Sequence, residues 1–258
     1  MTDPEPKRLR SGHWLLIGIV ALLVVGIFTV TRRDRDPDDK ADGVTTAPTA
    51  SAPAGPVCAP KVAETGQSIR QGLVNFGIVV TSDCPQAAVA SQLDVVAIGT
   101  DGKELTGDQA KARIFLSAVL PGQRLGAGGK LLVDINASIK NIRVSVSNTQ
   151  NVPADAFSSW PTVHVADIKH SGPDSSGHTQ VTGTVVTDPS TAKPCDPTYY
   201  LLLRNGAGTL IYGAAATGSE PSFDERLPSG IDWAKAEISV AMGTPPLGTV
   251  NTQQLTCQ

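Results

Sequence analysis

Residues 73–81, Leu-Val-Asn-Phe-Gly-Ile-Val-Val-Thr, and residues 88–98, Ala-Val-Ala-Ser-Gln-Leu-Asp-Val-Val-Ala-Ile, decide the fold class. Both are short, rich in β-branched side chains and bounded by Gly, Pro, Asn or Asp, the pattern of strands between turns. Residues 113–120, 130–135 and 142–147 continue it. Gly99-Thr100-Asp101-Gly102 predicts a hairpin, because an Asp-Gly pair tolerates the positive φ that tight turns need. Residues 107–113 allow one helical turn and no more. Gly126-Ala127-Gly128-Gly129 reads as a loop between strands.

A second series follows Phe157-Ser158-Ser159-Trp160-Pro161, with strands predicted at 162–168, 179–187, 199–203, 209–213 and 236–241 and a hairpin at Arg204-Asn205-Gly206. Its order repeats the first. Each series has a strand, then a Cys-Pro region (Asp83-Cys84-Pro85; Pro194-Cys195-Asp196-Pro197), an apolar strand, a Gly-containing hairpin, another strand, and a late strand with a basic lead-in. This predicts a duplication into β units 57–155 and 160–258, divided at the polar, Pro-broken Asn151-Val152-Pro153-Ala154-Asp155. The rival is one larger sandwich whose strands share turn chemistry.

Upstream of the strands the chain changes character. Residues 14–31, WLLIGIVALLVVGIFTVT, carry no charge. At 1.5 Å per residue such a helix spans roughly 27 Å, about one bilayer core. Arg32-Arg33 follow directly, which opposes cleavage, so an uncleaved anchor is expected in place of a signal peptide. Residues 1–13 would be a cytoplasmic tail. Lys7, Arg8 and Arg10 precede the span and Arg32, Arg33, Arg35 and Lys40 follow it, so basic residues alone leave the orientation open. Residues 32–56 form a Pro/Ala/Thr stalk with almost no large apolar side chain. As a coil, its last 23 residues (34–56) would reach roughly 25–30 Å.

Gly72-Leu73-Val74-Asn75, the Asp101-Gly102 turn and Leu120-Pro121-Gly122-Gln123 resemble the steps of small β-sandwich domains of the FxLYD type. Val181-Thr182-Gly183-Thr184-Val185 and Asn205-Gly206 resemble the first two steps again. The second unit has Gly218-Ser219-Glu220-Pro221 where a Pro-Gly-Gln step would stand, and the F-x-L-Y-D string is absent. The resemblance implies an all-β chain: two tandem immunoglobulin-like, FxLYD-like antiparallel β-sandwiches after one transmembrane helix. It also implies a bacterial, actinobacterial-like, single-pass envelope protein, and no catalytic residues.

Four cysteines, Cys58, Cys84, Cys195 and Cys257, all follow the apolar segment, and none forms C-x-x-C. An even count on one side of a membrane span predicts disulfides in an oxidising compartment. Cys58 opens a short strand (58–63) and Cys84 ends the next, which places them side by side in an antiparallel pair. Cys195–Cys257 follows by exclusion and by unit membership.

No nucleophile-elbow, zincin, P-loop, EF-hand or dinucleotide-binding motif occurs. His164 and His170, six apart on a strand, would share a face, and His178 could return beside them across residues 171–177. No Cys or acidic ligand completes a metal set there, and Asp167 would point to the opposite face from His164. No catalytic, metal or cofactor residue is therefore assigned. A net charge of −3 and few aromatics oppose nucleic acid as a partner. Trp160, between the units, and Trp233, in a loop lead-in, are the candidate contact surfaces; Trp160 packing the two units together is the competing reading. Asp224-Glu225-Arg226 reads as a solvated loop. The expected function is a membrane-anchored extracytoplasmic binding or structural module that engages another envelope protein or a cell-wall component. An enzyme or small-ligand sensor with a cryptic site between the β units is the alternative.

Overall fold

Strands β1 (Lys61–Arg70), β2 (Leu73–Thr81), β3 (Ala87–Gly99), β4 (Lys111–Val119), β5 (Arg124–Leu132), β6 (Ile139–Ser147) and β7 (Gln150–Val152) make up the first half of a computed structural model. It describes residues 56–190, 196–216, 218–219 and 222–243. The second half holds β8 (Thr162–His170), β9 (Thr179–Asp188), β10 (Thr198–Arg204), β11 (Leu210–Ala216), β12 (Gly218–Ser219), β13 (Ser222–Leu227) and β14 (Lys235–Ala241). The predicted tail, the anchor at 14–31, the stalk through residue 55, Cys195 and Cys257 lie outside the described residues. Among the described residues no helix is long and apolar enough to cross a membrane.

The fold is all-β, and among the described residues every strand pairing is antiparallel. In the first half β1-β2-β5 form one sheet and β4-β3-β6 another, with β7 added beside β3. Val74, Phe76, Ile78 and Val80 of β2 meet Leu93 and Val95 of β3 and Leu116 of β4 in one core. In the second half β8-β9-β13-β12 face β11-β10-β14, with Val181, Tyr199, Leu201, Leu203 and Phe223 between them. The two halves share a strand order. First, second and fifth strands make one sheet, and fourth, third and sixth the other, once β7 and β12 are set aside.

Several local expectations need correcting. β1 is ten residues long and not the short strand expected at 58–63. The glycine-rich segment 126–129 is not a loop but lies inside β5. Asp224-Glu225-Arg226 lies on β13, with Asp224 and Arg226 exposed and Phe223 and Leu227 buried. Gly99–Gly102 does turn, with the Gly102 N–H donating to Gly99 O at 2.9 Å, but it closes only a small excursion ending at the Ile98–Glu104 bridge. The β3–β4 ladder begins beyond it, at Val96 opposite Lys111.

β2 is mostly apolar and is buried from Val74 to Val80 because both of its faces are covered. Gly66, Gly77 and Gly128 stand directly opposite one another on β1, β2 and β5, on the face turned away from the first core. Three missing side chains in register leave a furrow across the strands, and β11 lies in it. A Cβ on Gly77 would come within 2.8 Å of Tyr212 O, and one on Gly128 within 2.6 Å of Ala214 N. A Cβ on Gly66 would collide with the Leu210 carbonyl, and one on Gly213 would sit 2.7 Å from Phe76 O. Val79, Leu202 and Leu210 form a small apolar cluster beside the furrow. The four sheets thus stack in the order β4-β3-β6, β1-β2-β5, β11-β10-β14, β8-β9-β13.

Filling the furrow should therefore part the two middle sheets. Gly77→Val or Gly128→Val is expected to cost about 1–3 kcal/mol or more, because the colliding atoms are backbone and cannot rotate away. Gly206→Ala, in open space on the β10–β11 hairpin, should be neutral by comparison. Thermal or urea unfolding of the three variants checks this. Equal stability of all three would mean the sheets do not meet through glycine.

Candidate functional site

The seam between the two middle sheets carries the densest group of charged side chains among the described residues. Arg204 ends the apolar run Tyr199–Leu203 on β10 and is largely buried. Its Nη1 donates to Glu64 Oε2 of β1 at 2.6 Å and to Gly208 O at 2.8 Å, and its Nε donates to Glu237 Oε1 of β14 at 3.0 Å. Arg124, the first residue of β5, closes the circuit, with Nη2 2.7 Å from Glu64 Oε1 and Nη1 3.6 Å from Glu237 Oε2. Two cations and two anions alternate in a ring. Arg204–Glu64 and Arg124–Glu237 each cross from one sheet to the other. Lys235 Nζ adds a bond to Glu237 at 3.0 Å. Arg204 Nη2 is buried without a hydrogen-bond partner among the described residues.

The ring sets the ionisation of its members. The Arg204 hydrogen bond, above all, holds the Glu64 carboxyl below its usual range, and Arg124 adds to this. Burial alone would raise Glu237, but hydrogen bonds from Lys235 and Arg204 outweigh it and hold this carboxyl low as well. The bond to Glu64 raises the Arg204 guanidinium further. Sequence reading missed all four members. Glu64 and Glu237 are 173 residues apart (237 − 64). The one local signal was a charge at the end of Tyr-Tyr-Leu-Leu-Leu-Arg, where strand alternation turns Arg204 toward a covered face.

At the same end of the β1-β2-β5 sheet the chain is fastened covalently. Cys58 and Cys84 form a disulfide, as predicted, with Cα atoms 5.7 Å apart. The reason is the one the sequence offered: Lys61 at the start of β1 stands opposite Thr81 at the end of β2. Asn151 of β7 reinforces the point. Its Oδ1 accepts from the Cys58 N–H at 2.7 Å and its Nδ2 donates to Cys58 O at 2.8 Å, so one side-chain amide replaces a strand pairing. The pairing predicted for Cys195 and Cys257 lies outside the described residues.

Trp160 is half-buried and packs edge-on to Phe157, with ring centroids 4.8 Å apart, over Ala87, Val89 and Val152. All of these belong to the first half or to the connection after it. Trp233 is half-buried against the second core and meets His170 edge-on at 4.9 Å. The histidines do not converge as the spacing predicted. Asp167, at φ 51°, bulges β8, so that Ala166 faces Thr184 while Lys169 already faces Thr182. The extra residue flips the strand, and His164 and His170 point to opposite faces. His178 sits instead beside Arg226, which pairs with Asp174 at 2.7 Å. Among the described residues no cluster of three metal-ligating side chains forms.

The outer face of β4-β3-β6 offers a different surface. Phe115 is exposed on β4 opposite Gln92, and Arg113 beside it pairs with Asp94 at 3.0 Å. Ser147 and Gln92 also donate to Asp94. No known protein-family model and no curated protein matches the chain.

The ring gives the seam an acid limit. Glu64 and Glu237 ionise more readily in the folded chain than in the unfolded one. The stability they add is therefore complete above the ordinary carboxylate range and is lost as the pH falls through their lowered values. Unfolding midpoints should fall steeply from about pH 5 to pH 3, and Glu64→Gln with Glu237→Gln should flatten that slope. Arg204→Met, which strands two carboxylates at the seam, should cost about 3 kcal/mol at neutral pH. Denaturant unfolding across this pH range checks both; a slope unchanged in the double variant would remove the ring from the account.

Proposed function

We propose that the chain is a membrane-anchored extracytoplasmic module of the cell envelope, working by binding or structural support and not by catalysis. The observation that carries this reading is the seam. The alternative, an enzyme or small-ligand sensor with a cryptic site between the β units, needs room where the units meet. That place is occupied by β11 lying backbone-to-backbone on Gly66, Gly77 and Gly128, and the charges beside it are spent on one another. The surfaces that remain to act are outward faces, as a binding module requires.

Further features support the rest. Residues 14–31 have the length and purity of one span, and residues 32–56 the composition of a stalk. The Cys58–Cys84 disulfide fits an oxidising compartment, hence a C-terminal region outside the cytoplasm. The repeated strand order fits tandem immunoglobulin-like or FxLYD-like sandwiches. The partner on this reading is another envelope protein or a cell-wall component, met through Phe115 and its polar neighbours or through Trp233.

Protease added to intact cells should release a fragment beginning within residues 34–56 and retaining the 58–84 disulfide. Cleavage only after permeabilisation would overturn the orientation. A photo-crosslinking residue placed at position 115 or 233 should give a discrete adduct in living cells. Adducts at neither position would leave both surfaces without a partner and sink the binding reading.

A further inference from the structure

The β1-β2-β5 sheet is unlike at its two ends. The furrow crosses its middle, and the ion ring and the disulfide lie toward Lys61, Thr81 and Arg124. The far end, nine residues along β1 and roughly 30 Å away, carries the Gln71-Gly72 turn and the loop that follows β5. Ile69, Leu132 and Ile135 are exposed there, at 43%, 46% and 69%. They form one tip. Arg70, Leu73 and Leu132 make a single cross-strand row. The backbone of Ile135 lies over Gly72, where a Cβ would stand 3.3 Å away, and the Val133 N–H donates to Gly72 O at 2.8 Å.

Most cations away from this tip are paired, Lys103 and Lys169 being the exceptions among the described residues. Lys61, Lys111, Arg113, Arg124, Arg143, Arg204, Arg226 and Lys235 each pair with a carboxylate. Lys130 flanks the tip row one step along, opposite Asn75, and Arg70 stands within it. Lys140, the second residue of β6, lies beside Gln67, whose Nε2 donates to Lys140 O. None of these three makes an ion pair with a described residue; Arg70 donates to Ser229 O instead. Asp134 is the one acidic residue within segments 66–75 and 128–140, and its carboxylate accepts from the Asn136 N–H at 2.8 Å.

We propose that this tip docks on an anionic lipid bilayer, with Ile135 and Leu132 entering the headgroup–acyl boundary and Arg70, Lys130 and Lys140 meeting lipid phosphates. The chemistry selects this occupant. Exposed aliphatic side chains gain by leaving water, and uncompensated cations gain near an anionic surface, so an anionic membrane rewards both in one contact. An acidic polypeptide would reward the cations but has no need of an isoleucine at the apex. This contact is separate from any span by residues 14–31 and does not rest on it.

The test uses the full chain with its N-terminal segment held in phosphatidylcholine nanodiscs. These are floated with liposomes of phosphatidylcholine alone or with phosphatidylglycerol added. If residues 14–31 do not insert, the chain is found outside the nanodiscs and is floated free, so failure of the anchor is seen separately. The wild type should co-float with phosphatidylglycerol liposomes about tenfold better than with neutral ones, and added salt should weaken this. Ile135→Asp should abolish the difference, and Lys130→Gln with Lys140→Gln should lower it by about tenfold. Ile168→Ser, an exposed apolar residue on β8, should leave it unchanged. All these side chains are exposed, so the variants keep the fold; the melting curve verifies it. Equal flotation on both liposomes would overturn the proposal. So would an Ile135→Asp chain that still prefers phosphatidylglycerol or is captured undiminished on polyglutamate beads, an outcome that points to an acidic protein partner.

Discussion

Two sheets of a folded chain ordinarily meet through side chains, about 10 Å apart. Here the two middle sheets meet through backbone, because Gly66, Gly77 and Gly128 align across three strands and leave β11 a bed with no side chains in it. That contact fixes much else. With β11 so close, β2 is covered on both faces, which is why Val79 is as buried as Ile78. It also fixes where the two halves stand, and so which charges face one another. Glu64 is two residues before Gly66 and Arg124 two before Gly126, so both lie on the furrow's face, beyond its edge, where Arg204 and Glu237 arrive from the other sheet.

The stack has a direction, and its outer surfaces end it. The first, second and fifth strands of one half receive the fourth, third and sixth of the other. Were the two exposed outer faces to match in the same way, a second chain could add without limit, as head-to-tail contacts do. They do not match. The outer face of β8-β9-β13 has no row of glycines; it presents Lys169, Thr182 and Asp224 in one row and Ala166, Thr184 and Ser222 in the next. The outer face of β4-β3-β6 presents Arg113, Asp94 and Ser145 in one row. Solvated side chains at both ends make the four sheets a closed set, and the bulge at Asp167 further distorts β8, an edge strand.

What the sequence made legible was local. Residues 73–81 were read as a strand to the residue, since β-branched density and flanking turn residues act within the segment. The Cys58–Cys84 pair was legible because antiparallel geometry makes neighbours of one strand's start and the next one's end. What failed was whatever depends on a distant partner. Gly126–Gly129 looked like a loop because strand propensity penalises glycine, and only the presence of β11 on the other side turns that penalty into a fit. Asp224-Glu225-Arg226 was read rightly as solvated but wrongly as a loop, because charge was counted without alternation, although Phe223 and Leu227 bracket it at strand spacing. The histidine face was misread because a bulge changes parity, and the left-handed backbone at Asp167 leaves no mark in composition. The ion ring draws its members from β1, β5, β10 and β14, so it could not be read before the sheets were stacked.

The β1-β2-β5 sheet therefore has one end that is locked and one that is bare. At the first, a disulfide, the Asn151 amide and four alternating charges hold the place where residue 56 leads into the fold. These fastenings act across different elements. The disulfide ties Cys58 to the β2–β3 connection, Asn151 ties it to β7, and the ring ties β1 and β5 to β10 and β14. A pull on the chain at residue 56 would pass first into bonds that span both sheets of the first half, and only then along β1. The opposite end spends its side chains otherwise: three aliphatic residues face water and three cations make no ion pair with a described residue. A surface selected for stability alone would pair those cations, as eight others among the described residues are paired. The contrast along one sheet separates the end that carries load from the end that is left free to make contact.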